Sequence, residues 1–428
     1  MKTEKFALIV LAALLALGVS TTSYAFHAGG VAECGGCHSM HSPAAGGAGL
    51  GALLIGTDQS STCLTCHERS TDTGPSSYHV SSATAQVIPL QRTPGGDFAW
   101  LRKSYTTSTA STSTGEPGAT HGHNIVAADY TYSNDGTGTS PGGLFPATAL
   151  GCNSCHDPHG KYRRAGDETA PVTNGGGPII ASGSYAATTA AGTSDPPPAG
   201  LALGAYRLLA GSGYITKDPT GVPVTPGFTG VPMAKVPNTY NRTEAATETR
   251  TAYGVKSGNG YATWSQWCGA CHGAMHSGNG NYVHPTDAPM TTVAANYRSY
   301  VKSGDTTSNG TANGFTSLVP FASDAGATYA GLAALAATNV AYNAGVGPAG
   351  TDQAMCLTCH RAHASAFPEM LRWNMETTFI ASNGAYPNGT AGANPKTSAV
   401  YTAGYYDRPA TVFASFQRVL CNKCHVQD

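Results

Sequence analysis

The sequence predicts a chain of mostly irregular coil and turns, with a few short α-helices and minimal β-structure. Three observations point there. Glycine supplies 54 of the 428 residues and proline 26, too dense a scatter of turn formers for long elements. Only 11% of the residues are charged, and a chain this rich in Gly and Pro without a period lies near the composition of chains that stay disordered. Against this stands a covalent pattern, since six copies of C-x-x-C-H use all 12 cysteines.

The copies are Cys34-Cys37-His38, Cys63-Cys66-His67, Cys152-Cys155-His156, Cys268-Cys271-His272, Cys356-Cys359-His360 and Cys421-Cys424-His425. Each is the attachment signature of a c-type haem. Two thiols add to the haem vinyl groups, and the imidazole that follows binds the iron. Zinc sites and disulfides also use C-x-x-C pairs, but neither calls for six identical copies with His in the same place. The cofactors expected are therefore six covalently attached haem c groups. Each is a rigid apolar plate, so the haems can form most of an interior, with the polypeptide wrapped around them as loops.

Taken in order, Met1–Lys5 is a short, weakly basic head, Phe6–Val19 is an apolar run and Ser23-Tyr24-Ala25 is a small-x-small cleavage site. Residues 1–25 read as a cleaved secretory signal peptide. The apolar run is too short for a membrane anchor, and no other stretch approaches a span. Residues 26–428 read as a single hexahaem domain. Without Lys2, Lys5 and Glu4, the 23 basic and 24 acidic residues fall to 21 and 23, a net charge of −2. No basic stripe suggests nucleic acid, and haem propionates would make the particle more acidic, favouring cationic or metal-ion partners.

The motifs start 29, 89, 116, 88 and 65 residues apart, which is no tandem period. Short helices are expected at the C-x-x-C-H segments, where sulfurs and imidazole must project from one side. Further helices are expected at Tyr329–Ala337 and Phe367–Thr378, strands around Tyr130–Tyr132 and Tyr401, and loops at Gly175–Gly200 and Thr306–Gly314.

The motifs supply six proximal iron ligands, His38, His67, His156, His272, His360 and His425. Nine of the 15 histidines remain. His41, His159 and His363 stand three residues after a proximal His, and His276 four after. Such spacings share a face, and two imidazoles on one side cannot reach opposite faces of one porphyrin. Each of these four should therefore bind the iron of a different haem. His79 and His123 are the next candidates, then His284 and His27, so eight candidates face six irons and two are left over. His121 reads as solvated rather than ligating. Met40 and Met275 could in principle ligate, but imidazoles are in excess. Two axial imidazoles leave no open iron position and suit electron transfer rather than substrate chemistry. No nucleophile triad or carboxylate pair suggests an enzyme. Trp264, Trp267, Phe413 and Phe416, close before Cys268 and Cys421, read as packing rings. Lys161–Arg164 could pair with propionates.

The stretches FHAGGVAECGGCHSMH (26–41), DTGPSSYH (72–79), GHNIVA (122–127), CHDPHGKYRR (155–164), YNRTEA (240–245), CHRAHAS (359–365) and CNKCH (421–425) resemble, in the same order, the outer-surface hexahaem cytochrome S family. The loops at about 183–200 and 303–350 do not match, which marks a homologue. Subunits of that family polymerise into extracellular cytochrome nanowires. The resemblance implies bis-histidine haems in one linear chain of stacked and T-shaped pairs, and sparse secondary structure. It also implies that His41 ligates the fifth haem, on Cys356, Cys359 and His360, of an adjacent subunit in a head-to-tail homopolymer. The function so implied is extracellular long-range electron transfer to metal oxides, partner cells or other redox proteins. A monomeric secreted shuttle or terminal metal reductase is the alternative.

Overall fold

The computed structural model describes residues 34–39, 53–74, 77–108, 113–136, 138–158, 209–211, 213–230, 232–235, 241, 248–254, 256–258, 262–277, 284–307, 319–327, 329–340, 347–390 and 392–426. The signal segment, the Gly175–Gly200 loop, Lys161–Arg164 and nearly all of Thr306–Gly314 lie outside them.

Within the described residues the chain is mostly coil. Its α-helices are α1 Cys34–Cys37, α2 Gln59–His67, α3 Cys152–Cys155, α4 Trp264–Gly269, α5 Gly273–Ser277, α6 Thr292–Ser299, α7 Tyr329–Leu335, α8 Cys356–Cys359, α9 Ser398–Gly404 and α10 Cys421–Cys424. The longest has nine residues. The strands have two to four residues and pair only in twos.

Every C-x-x-C-H segment sits on or at the end of a helical turn, as expected. The proximal His amide donates to the carbonyl of the first cysteine at His156, His272, His360 and His425, at 3.0, 3.1, 2.9 and 2.8 Å. That one bond puts both sulfurs and the imidazole on one side of the backbone. Local side chains start these turns. Ser154 Oγ accepts from Gly151 N and Thr358 Oγ from Met355 N, each at 3.0 Å. Thr263 and Gln266 form a reciprocal capping box on α4.

The apolar residues gather in separate clusters that border the cysteines. The largest joins Trp100 and Tyr105 to Phe367, Trp373, Tyr386, Tyr401, Tyr405 and Phe413, with Cys424 against it. A second surrounds Trp264, Trp267, Phe228 and Leu357, and Cys155 and Cys268 lie on its edge. A third, around Leu64, Phe98 and Tyr132, borders Cys152.

Three local expectations need correction. Phe367–Thr378 is not a helix: only Pro368–Met370 makes a turn, with Glu369 and Met370 at φ 58° and 57°. The segment instead runs back along the fifth motif. Arg361 N bonds Met370 O and Arg372 N bonds Cys359 O, both at 2.8 Å, so pairing to the motif overrides helix propensity. Tyr401 lies in α9, held by its amide on Thr397 O. Tyr130–Tyr132 is a tight turn with Thr131 at φ 60°, closed by Ala127 against Tyr132. The helix expected at Tyr329–Ala337 forms but ends at Leu335, because Ala337–Val340 pairs as a strand with Glu248–Arg250.

Buried carboxylates stand in for the ladders this backbone lacks. Asp97 is fully buried and accepts from the amides of Ser82, Gln91 and Ala99 and from the Ser82 hydroxyl. Asp97→Ala strands four donors and should destabilise the protein by about 3 kcal/mol. The denaturant midpoint of the haem-loaded protein, followed by far-UV circular dichroism, checks this.

Candidate haem centres

Histidine rings meet in twos. His156 faces His363 with ring centroids 6.3 Å apart, His123 faces His272 at 6.0 Å, and His284 faces His425 at 6.2 Å. Metal–imidazole bonds of about 2 Å on opposite sides of one ion place the centroids of two rings roughly 6 Å apart. Each pair joins one C-x-x-C-H histidine to a ring from a remote segment. His363 stands next to the fifth motif yet faces the third. Among the described residues, no three His, Cys, Asp or Glu side chains converge as a metal cluster.

The rings are aimed by backbone carbonyls. The Nδ1 of His123 donates to Ala362 O at 2.7 Å, of His272 to Pro141 O at 2.8 Å, of His360 to Glu369 O at 2.7 Å and of His67 to Tyr78 O at 3.1 Å. A carbonyl only accepts, so Nδ1 carries the proton and Nε2 keeps the lone pair a metal needs. Burial pushes the His123 imidazole down to about 4 and His363 to about 3. Both rings are therefore neutral, the form that ligates.

His79 follows the same logic without a visible partner ring. Ser77 Oγ donates to Asp72 O, so it accepts from His79 Nδ1 at 3.0 Å, and Asp72 Oδ2 lies 3.3 Å from the same nitrogen. That leaves His79 Nε2 buried with no hydrogen-bond partner among the described residues, as expected of an atom that meets a metal.

His121 is placed differently from expectation. It is fully buried rather than solvated, because its Nε2 bonds Glu116 Oε1 at 2.7 Å. The same carboxylate oxygen holds the buried Lys396 ammonium, which Glu376 also approaches at 3.5 Å. Against the upward push of burial, the His121 and Lys396 donors hold the Glu116 carboxyl below the usual carboxylate range. His121 thus spends on an acid the nitrogen that His123 keeps for a partner ring.

His27, His41, His159 and Met40 lie outside the described residues, as does the His276 side chain, whose backbone is in α5. Met275 is 56% exposed. Trp264 and Trp267 are buried and donate to Met233 O and Ala210 O, and Phe413 packs on Trp373. Phe416, at φ 67°, meets Phe379 edge-on with ring centroids 5.5 Å apart.

The motifs also join in pairs through their first cysteines. Cys63 meets Cys152, and Cys268 meets Cys356. A serine three residues before the first cysteine supports each joint: Ser60 Oγ accepts from Cys152 N at 3.0 Å, and Ser265 contacts Cys356. Sequence reasoning passed over these serines. The signal was present in the repeated S-x-x-C and in the near-equal spacings of 89 and 88 residues.

No protein-family model matches the chain. It is 44% identical over 455 aligned positions, covering both chains fully, to "C-type cytochrome OmcS" of Geobacter sulfurreducens. Two solved structures align over 94% of this chain and all of theirs with a TM-score of 0.73, at 43% and 42% identity: an outer membrane cytochrome S filament and the OmcS nanowires of the same organism. The chain belongs to the OmcS family of c-type cytochromes. It is an electron-transfer protein with covalently bound haem c, and the facing imidazoles beside C-x-x-C-H turns fit that group.

Glu116→Ala would leave Lys396 buried without its principal counter-charge. We expect a loss of about 3 kcal/mol in stability, read as a lowered denaturant midpoint, with the haem absorption spectrum of the folded protein unchanged.

Proposed function

We propose that this chain is a secreted subunit of an extracellular cytochrome filament, carrying six bis-histidine haem c groups in one continuous series that delivers electrons to outside acceptors. The observation that carries this reading is the meeting of imidazoles from remote segments at 6.0–6.3 Å beside C-x-x-C-H turns. The third haem takes His156 and His363, the fourth His272 and His123, the sixth His425 and His284. Distal ligands for the first, second and fifth come from His79, His27, His159, His276 and the His41 of an adjacent subunit. The haem irons supply a reversible one-electron change. Backbone carbonyls anchor the Nδ1 of His67, His123, His272 and His360 and so leave Nε2 for the iron, burial keeps His123 and His363 neutral, and two imidazoles close both axial positions to substrate.

The likeness to OmcS filaments supports polymerisation, and the basic head, apolar run and Ser23-Tyr24-Ala25 of the sequence support export with a cleaved 1–25 signal peptide. Among the described residues no helix is long and apolar enough to cross a membrane.

Two experiments test the proposal. His123→Ala should turn one of six haems high-spin, whereas His121→Gln should leave every haem low-spin. Electron paramagnetic resonance of the oxidised protein distinguishes them, and an unaltered spectrum from His123→Ala would remove it from the ligand set. His41→Ala should keep six haems by pyridine haemochrome assay while abolishing long filaments in cryo-electron micrographs. Normal filaments would refute a ligand shared between subunits.

A further inference from the structure

We infer that Gly95 and Phe98 are positioning residues that clamp the His363 imidazole and set the plane in which it meets the third haem. This rests on the assignment of His363 as that haem's distal ligand.

The clamp has two contacts. Phe98, 4% exposed, stacks on the His363 ring with centroids 4.6 Å apart and planes 22° from parallel. Gly95 lies against the Nδ1 side of the ring. A Cβ at residue 95 would lie 2.7 Å from His363 Nδ1, 2.9 Å from Cε1 and 3.0 Å from Cγ, inside any normal van der Waals contact. The ring therefore lies against bare backbone.

Glycine is needed at 95 for space rather than for backbone freedom. Gly96 N bonds Thr93 O at 3.0 Å, closing a turn with Pro94 and Gly95 at its centre. Gly95 does not sit in the left-handed region; its neighbour Gly96 does, at φ 96°. A turn without positive φ at its third residue admits most side chains. What excludes them at 95 is the imidazole.

The backbone of His363 is fixed independently of its ring. His363 N donates to Gly95 O at 2.7 Å, and His363 O accepts from His123 N at 2.9 Å. The bridges Gly96–Ala364 and Gly122–Ala364 hold the next residue on both sides. With the main chain pinned, only ring rotation remains open, and Phe98 and Gly95 stop it. Ring plane matters because imidazole π-orbitals overlap the iron d-orbitals differently at each angle about the metal–nitrogen axis. That splitting governs both the low-spin resonance and the reduction potential, so the two residues act on the haem through the ligand.

The test uses the full haem-loaded protein. Gly95→Ala and Phe98→Leu are compared with wild type by electron paramagnetic resonance and by spectropotentiometric titration, with His363→Ala as reference. The expected result is six attached haems in every variant. Gly95→Ala and Phe98→Leu should each shift the low-spin resonance and midpoint of one haem in six, and His363→Ala should turn that haem high-spin. Loss of the low-spin signal of that haem in Gly95→Ala also supports the clamp. If both variants lower the thermal midpoint but leave all six resonances and potentials unmoved, the two residues are structural only and the clamp is overturned. If His363→Ala leaves all haems low-spin, the ligand assignment fails instead.

Discussion

The meeting of two imidazoles from distant parts of the chain is the constraint on which the rest of this structure depends. One ring comes free with each C-x-x-C-H turn. The other must arrive from as far away as His363 does to reach His156, with the correct nitrogen inward and uncharged. A Gly/Pro-rich coil has no long helix or broad sheet with which to aim a side chain. It uses carbonyls instead: Ala362 O aims His123, Pro141 O aims His272 and Glu369 O aims His360. Those acceptors lie on irregular backbone, which explains why the coil must be so closely specified. A carbonyl displaced by about 1 Å from the usual range of 2.7–3.2 Å no longer bonds, and the tautomer is then no longer fixed.

The stiffness needed for this comes from buried polar hubs and from the aromatic cluster of the C-terminal third. Asp97 collects donors from three segments. Arg92 joins Asp407 across 315 residues at 2.9 Å. The Glu116–Lys396 pair lies beneath Tyr105, Phe367 and Tyr401, whose rings the ammonium approaches at 5.4–5.9 Å. A charge buried among ring faces is tolerated only with its counter-ion present. The cluster therefore locks residues 105–121 to residues 367–401, the two stretches that flank His123 and His363.

What could be read from the sequence divides along the same physical line. The helical C-x-x-C-H turns and the sparse secondary structure were legible because they follow from local spacing and composition. Spacing alone set His363 apart from the motif it follows. The ring it faces could not be named, because the 206 residues between His156 and His363 carry no local mark of where they fold back. His121 and His123 differ by one glycine in the sequence and could not be separated by motif. Glu116 decides between them, and a lone Glu five residues upstream gives no signal of the contact. Phe367–Thr378 misled for a related reason: its propensity is helical, yet its backbone is committed to the fifth motif.

That commitment explains why residues 359–365 cannot be assigned to any one centre. Cys359 and His360 belong to the fifth motif, Ala362 O orients the ring that faces His272, and the His363 ring faces His156. Three residues of chain reach at most about 11 Å, so His360 and His363 cannot drift apart while the backbone is intact. The same stretch bonds Gly95 on one side and His121 and His123 on the other. A shift of this segment would move the His156–His363 pair, the His123–His272 pair and the fifth motif together. Substitutions within it should therefore couple strongly rather than add. A chain with few regular elements thus keeps neighbouring centres in register by making one short segment serve several of them.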